Sequence, residues 1–505
     1  MTMQTRIRRA LARRDGTGQR GPGMPGPYGT GSGKIPAGKT GDKNRSPVLP
    51  LVAAVLAMAA ALPAQQAAAP VTVTLAQAIE RSLKNYPSIR VSQEQINAAA
   101  AAIRLARTAY LPRVDALAQI NRATRNNVFG LLLPQSVIPS MSGPVIGSNN
   151  FGSVWGSAIG GLVTWEPFDF GLRGASVAAA DRARAQSEAA VKRTQYEVAA
   201  ATADAYVTLV AAQQMALAAQ AGVDRAETIL KTITAQVEAQ LRPGADQSRA
   251  EAELAAARTQ LIQAQQAIEI SCATLSQFTG THPEQTAVTA GSLLQLPPEQ
   301  AAPAPETAAN PLVVEQNAVV EQARAQLQVF ERSYFPKFYL QGAAYARGTG
   351  AETDGDRLGG LNGLAPNVQN YALGFSVTFP IFDLPALRAR EAAQSATIRA
   401  QTARGEQIAV DLRAQWNRAV AAMNGARRIA ANTPVQIAAA RAAAQQAEAR
   451  YRAGLGNIDE VAEAERLLTQ AEIDDVLARL NVWRGLLGIA TAAGDLQPFV
   501  AQASQ

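Results

Sequence analysis

Few residues in this chain could do chemistry. Its 505 residues include one Cys, Cys272, and one His, His282. One Cys forms no disulfide within the chain. One His and one Cys cannot build a multi-His or multi-Cys metal site. A Ser-His-Asp arrangement would have to use His282, which sits in a Pro-rich stretch. No catalytic constellation results, and no cofactor is expected. Gly33-Lys34-Ile35-Pro36-Ala37-Gly38-Lys39-Thr40 matches the phosphate-loop pattern. That pattern needs a strand before it and a helix after it, so that backbone N–H groups converge on phosphate. Gly/Pro/Ser-rich sequence precedes it and Ser46-Pro47 follow, so the match is fortuitous. Among the 40 acidic residues are pairs at helical spacing, of which Glu460 and Glu463 are one. Three residues apart, they share one helix face. Repeated by rotational symmetry, they would make an acidic ring that attracts cations and repels anions. The plainer reading is first-turn acids that complement the helix dipole, with Asp459 as cap.

Any such pair must be carried by the long elements of the chain. From about Leu172 to Leu241 there is no Pro, and the only Gly residues are Gly174 and Gly222. Good helix formers fill the stretch. At 1.5 Å per residue it predicts a helix of roughly 100 Å. Ile229, Ile233, Val237 and Leu241 recur at fourth positions. Near the other end, Ile473, Leu477, Leu480 and Leu487 form a heptad-like seam. Hydrophobic residues are 48% but aromatics only 5%, which predicts thin helix–helix seams rather than a wide core.

The net charge of +7 would suggest nucleic acid, but its distribution does not. Residues 1–64 carry ten Lys/Arg and two acids, a balance of +8, so the remainder is −1. A chain near neutrality has no footprint for a phosphate backbone, and nucleic acid is not an expected partner. Residues 1–47 have a disordered composition. The apolar run from Val48 to Leu62 has the length of a signal-peptide core and is short for a spanning helix. Cleavage is expected after Ala64 or a few residues later.

The rest reads as two copies of one unit. Pro87 and Pro311 are offset by 224, as are Pro112 and Pro336. Asp169 and Asp383 differ by 214, and Gly244 and Gly454 by 210. The first unit spans 71–280 and the second 310–499, with a Pro/Ala-rich linker at 281–309. Each unit predicts a short helix ending near the first Pro, a second helix, two strands and a long helical hairpin. The strands fall at about 113–125 and 154–168, then 337–348 and 370–382. The hairpins fall at 172–278 and 387–488. Leu373, Phe375, Val377 and Phe379 share one strand face, while Tyr339, Gln341, Tyr345 and Arg347 share the polar face of another. Trp155, Trp165, Phe168, Phe170, Phe379 and Phe382 gather near strand ends, as in the girdles of membrane barrels. Four strands cannot close such a barrel, and an open edge is not tolerated in lipid. Chains must therefore combine, in twos, threes or more.

Four markers carry a family resemblance: Asn85-Tyr86-Pro87-Ser88-Ile89, Tyr110-Leu111-Pro112-Arg113, Phe168-Asp169-Phe170-Gly171 and the stretch from Tyr451 to Val461. With the duplicated plan, they make the chain similar to the TolC family of bacterial outer-membrane efflux proteins. The resemblance covers about Val71 to Phe499. It implies a mainly α fold with a membrane β-barrel portion. It also implies a homotrimer with a twelve-stranded barrel in outer-membrane lipid and a helical tunnel across the periplasm. The implied partners are a periplasmic adaptor (membrane fusion) protein and an inner-membrane efflux pump or secretion ATPase. Matched residue by residue, it places the periplasmic gate at Tyr451, Glu460 and Glu463, where the family's usual carboxylates are Asp. It places the adaptor-docking tip at Leu241, Gly244, Gly454 and Leu455. Gly456 stands where a latch Arg is usual, and Arg242-Pro243-Gly244 departs from the usual Gly-Leu turn. The expected function is a passive conduit for small-molecule efflux. Its rivals are a polypeptide-secretion duct and a soluble periplasmic coiled-coil scaffold.

Overall fold

The computed structural model describes residues 71–124, 152–299, 307–352, 356–379 and 381–504. The basic leader, the expected signal peptide, the phosphate-loop match and most of the loop joining the first strand pair lie outside them. The first repeat runs β1 (Val71–Val73), α1 (Leu75–Asn85), α2 (Pro87–Thr108), β2 (Arg113–Thr124), β3 (Ser153–Phe168), α3 (Leu172–Glu238) and α4 (Gly244–Thr279). After β4 (Thr286–Val288) the second runs α5 (Pro311–Arg332), β5 (Lys337–Thr349), β6 (Val368–Thr378), α6 (Leu384–Arg452) and α7 (Ile458–Ala493). A short α8 (Gln497–Ala503) follows. No helix among the described residues is long and apolar enough to cross a membrane.

The second repeat does not copy the first throughout. A short helix is expected before Pro311 but only a 3-10 turn forms, Thr307–Ala309. Pro303 and Pro305 stand just ahead of it, and proline cannot continue a helix. The strand expected to reach 382 stops at Thr378. Pro380 lacks the N–H a ladder needs, so Phe379 and Phe382 lie beyond the sheet.

The four long strands form one antiparallel sheet in the order β2-β3-β5-β6. The β3–β5 pairing joins the two repeats. Opposed residues fix two faces. Val114 faces Val163, Trp165 faces Leu340, and Leu340 faces Phe375, which makes one apolar face. Thr164 faces Gln341, Tyr339 faces Ser376, and Tyr345 faces Asn370 on the other. Leu373, Phe375, Ile120 and Val114 are exposed on the apolar side. The outer strands β2 and β6 each keep one edge unpaired among the described residues.

A tight turn hangs α3 from β3. Asp169 accepts hydrogen bonds from the Arg173 backbone N–H at 2.6 Å and from its Nε at 2.9 Å. Phe168 meets Phe170 edge-on with centroids 4.6 Å apart, and Phe170 stacks on Phe335 at 5.2 Å. This aromatic cluster ties the first turn to the second repeat just below the sheet.

The main core lies midway along the long helices. Tyr206, Leu209, Val210, Leu275, Leu480 and Trp483 are buried there with Leu293 and Phe499. Residues 281–309 are more than the expected linker. Their strand β4 pairs in parallel with β1, and Leu293 is buried among the helices. The Trp483 indole N–H donates to the Gln295 carbonyl at 2.9 Å. The buried Tyr206 hydroxyl reaches the carbonyls of Val73 at 3.0 Å and Thr289 at 2.7 Å. It thereby pins both short strands to α3. Tyr206→Phe would strip those carbonyls of their donor, a loss of about 1–3 kcal/mol. A lower apparent midpoint of thermal unfolding is expected by circular dichroism; an unchanged midpoint would refute this pinning role.

Candidate gate and docking tip

The residues expected to form a gate and a docking tip all lie at or near the hairpin turns. Both outbound helices end alike. Gln240 and Gly454 adopt left-handed φ values of 61° and 76°. The next N–H reaches back along the helix, from Leu241 to the Gln236 carbonyl at 2.9 Å and from Leu455 to the Arg450 carbonyl at 2.8 Å. This closure normally favours Gly, and a Gln in the left-handed region costs about 1 kcal/mol. Gln240, not Gly244, is therefore the counterpart of Gly454. The marker pairing of 244 with 454 is corrected, and the offset is 214, as for Asp169 and Asp383. It holds to the C-caps Gly280 and Gly494, which are both left-handed. Equal hairpin lengths bring both tips to one level.

The tip residues are then placed as follows. Leu241 and Leu455 follow the left-handed residue in each turn and are 74% and 73% exposed. Gly454 lies within its turn, whereas Gly244 is the first residue of α4. Tyr451 is 3% exposed, packed with Ile233, Ala250, Ile458 and Val461. Ile229 and Val237 of the expected seam pack against this cluster, while Leu241 leaves it.

Glu460 and Glu463 are exposed. The cap of α7 is Asn457, not Asp459: its Oδ1 accepts the Glu460 backbone N–H at 2.9 Å. Asn457 has the extended backbone a cap requires. Asp459 instead pairs with Arg249 of the first hairpin at 3.1 Å. The Glu460 carboxylate lies 3.9 Å from Arg450, and Glu463 pairs with Arg466. Neighbouring arginines thus partly offset both charges. A Cβ at Gly456 would sit 3.3 Å from Glu460 Oε2, a tight approach.

Two residues that sequence reasoning missed surround Tyr451. Its hydroxyl donates to Asp246 Oδ2 at 2.9 Å. The Arg242 guanidinium lies 4.3 Å from its ring centroid and donates to its backbone carbonyl. Burial and the bond to Asp246 push the Tyr451 phenol up to about 12, so it stays a donor at any physiological pH. The corrected offset of 214 marks both positions as repeat counterparts of candidate residues, though not as neighbours of Tyr451. It places Asp246 opposite Glu460 and Arg242 opposite Gly456.

Higher up, Arg225 of α3 bridges to α7. It lies 2.9 Å from Glu465 and 3.1 Å from Glu472, and donates to Thr469 at 2.8 Å. Burial pushes the Glu465 carboxyl up, against the pull of Arg225, with Glu448 and Glu472 adding to the rise. The folded chain thus holds this proton more tightly than the unfolded one. Stability should fall as pH rises from the ordinary carboxylate range through the raised value. Glu465→Gln should flatten that part of a pH–stability curve, with Arg225 keeping Glu472. A curve identical to wild type would sink the assignment.

Duplicated units of strand pair and long hairpin, joined through one open sheet, are the build of a channel subunit. The chain belongs to the outer membrane efflux protein family, whose model matches residues 78–281 and 306–495. No curated protein sequence matches it. Among solved structures, the outer-membrane channel OprN is 22% identical, with a TM-score of 0.64 over 83% of this chain and 89% of that one. The Campylobacter jejuni CmeC outer membrane channel is 15% identical, with a TM-score of 0.65 over 85% and 89%. The open state of the Neisseria gonorrhoeae MtrE outer membrane channel is 20% identical, with a TM-score of 0.61 over 83% and 89%. These likenesses establish a shared fold. Among the described residues, no group of three or more His, Cys, Asp and Glu could hold a metal ion.

Proposed function

We propose that this protein is the outer-membrane conduit of a tripartite export system. It acts as a homotrimer whose four-stranded sheets close a twelve-stranded barrel. One observation carries this reading: among the described residues the sheet has an exposed apolar face and an unpaired edge on each outer strand, yet it carries outbound helices about 100 Å long. Such edges must pair before they can sit in lipid. The tunnel is passive, and energy comes from an inner-membrane pump. A periplasmic adaptor engages the tip at Leu241, Gly244, Gly454 and Leu455. Tyr451, Glu460 and Glu463 form the gate. Small-molecule efflux is preferred to polypeptide secretion because the family's own description is an efflux protein.

Extraction tests this reading. The protein should require detergent for release and migrate as a heat-sensitive trimer. Release by osmotic shock as a soluble protein would favour a periplasmic scaffold and end the conduit reading. A deletion strain should become sensitive to toxic compounds with its secreted proteins unchanged; the reverse pattern would point to a secretion duct.

A further inference from the structure

We propose that the half of the tunnel next to the sheet carries a cationic collar, built from Arg390 and Arg404 of each subunit, that takes organic anions as cargo. The proposal rests on the conduit reading above and names the substrate class of that same tunnel. Helix α6 carries eleven Arg and four acids, whereas α3, its repeat counterpart, carries seven bases and seven acids. Solubility alone would not place the whole excess in one repeat. Arg390, Arg404 and Arg418 recur every fourteen residues, are exposed, and form no ion pair among the described residues.

The contacts of α6 decide where they point. One seam packs on α5. Gln394 donates to the Ala323 carbonyl at 2.8 Å, Gln316 donates to the Gln401 carbonyl at 2.8 Å, and Gly405 lies against Gln316. A second row, Ala386, Ala389, Ala393, Ala396, Ala400 and Ala403, steps by three and four residues and is exposed in the single chain. Such spacing makes a helix–helix seam, and in the proposed trimer the next subunit fills it. Within a subunit the wall helices pack in the order α2, α3, α5, α6, so three subunits close a ring of twelve. At 3.5 residues per turn the two seams of α6 lie about 155° apart on the side of Arg390 and Arg404, close to the roughly 150° that the inside of such a ring requires. That arc faces the tunnel. Arg399, Arg413 and Arg427 lie on the outer arc, where Arg427 donates to the Pro298 carbonyl at 3.0 Å. The segment around Pro298 therefore runs outside the wall and leaves the tunnel clear.

Arg390 and Arg404 are about 21 Å apart along the helix. Between them the lining is uncharged: Thr397, with Ser176, Ala183 and Ala190 at the same phase of α3, 214 residues earlier. Nearby acids are engaged elsewhere. Glu315 pairs with Arg193, Glu321 with Arg324, and Glu391 accepts from the Tyr334 hydroxyl. Lower down, Asp411 and Asp204 offset Arg418, and the positive stretch ends. Two levels of three like charges inside low-dielectric walls concentrate anions. For an anion the collar is a downhill step beyond the acidic tip. No large apolar side chain stands between the rings, so charge makes the selection.

Purified full-length protein in planar lipid bilayers tests this, with pyrenetetrasulfonate added on the barrel side. At about 0.01 M salt, where charges act over roughly 30 Å, the probe should block wild-type current. Arg390→Gln with Arg404→Gln should raise the half-blocking concentration about tenfold. Arg390→Lys with Arg404→Lys keeps the charge and should be blocked like wild type. Arg399→Gln with Arg413→Gln removes the same charge from the outer arc and should leave the block unchanged. Equal block of wild type and the inner Gln pair would overturn the collar. So would an equal loss in the outer pair, which would report net charge alone, or a Lys pair that behaves like the Gln pair. Should the inner Gln pair fail to assemble, Arg404→Gln alone is read by the same criteria, with a rise of about threefold. A wild-type protein that inserts no pore overturns the conduit reading, and the collar with it; a conducting wild type that the probe does not block overturns the collar alone.

Discussion

Gly485→Leu is expected to abolish assembly of the proposed trimer. Helices α6 and α7 approach closely where Gly485 faces Met423. A Cβ on Gly485 would lie 2.6 Å from Met423 Cβ, 2.7 Å from its Cα and 3.0 Å from its N. Two of those atoms are backbone, so no side-chain rotation relieves the overlap. Gly488, nearly one turn on, faces the Ala419 Cβ at 3.1 Å and marks the same close approach. Adding even a methyl here should cost about 1–3 kcal/mol, the usual range for overpacking. A Leu adds three more carbons, and the helices must separate. Val482 and Met423 are buried at this contact, and Trp483 beside them is 2% exposed in the main core. Separation would expose all three. The expected result is no heat-sensitive oligomer for Gly485→Leu, and a lowered but measurable thermal midpoint for Gly485→Ala. A Gly485→Leu protein with a wild-type midpoint would show that the close approach does not exist.

Neutralising both carboxylates of the proposed gate, Glu460→Gln with Glu463→Gln, should sharply reduce the preference for cations in a bilayer. Under the proposed trimer each subunit presents both groups, and rings of carboxylates select cations. Their exposed position keeps the ring solvated, and Arg450 and Arg466 offset part of it. The expected fall in the cation-to-anion permeability ratio is therefore roughly threefold to tenfold rather than complete. Arg466→Gln should move the ratio the other way, since it frees the Glu463 charge. Reversal potentials in a salt gradient measure all three. If the double variant keeps the wild-type reversal potential, Glu460 and Glu463 do not line the conducting path. They would then be acids that complement the start of α7.

Much of the architecture was legible from residues alone, because it follows from local rules. The two-residue period of β5 and β6 assigns each side chain to a face without any knowledge of neighbours. A long proline-free run of helix formers predicted α3 to within a few residues, and the repeat placed α6, which runs on through Pro434. The Tyr-Leu-Pro and Tyr-Phe-Pro markers ended α2 and α5, because the residue before Pro avoids helix. The constant offset exposed the duplication.

Other features were decided only by packing. A Gln in a left-handed turn is not predictable from propensity, so Gly244 stood in for Gln240 and the hairpin register slipped by four. The linker's composition gave no sign that Leu293 would be buried or that β4 would pair with β1. The carboxylate pair at Glu460 and Glu463 was visible in the sequence, as was the candidate tyrosine. Their surroundings were not. Arg242 and Tyr451 are 209 residues apart in the chain, and no local rule links them. Two hairpins of equal length must first dock side by side. Only then does a turn residue of one lie over the buried ring of the other.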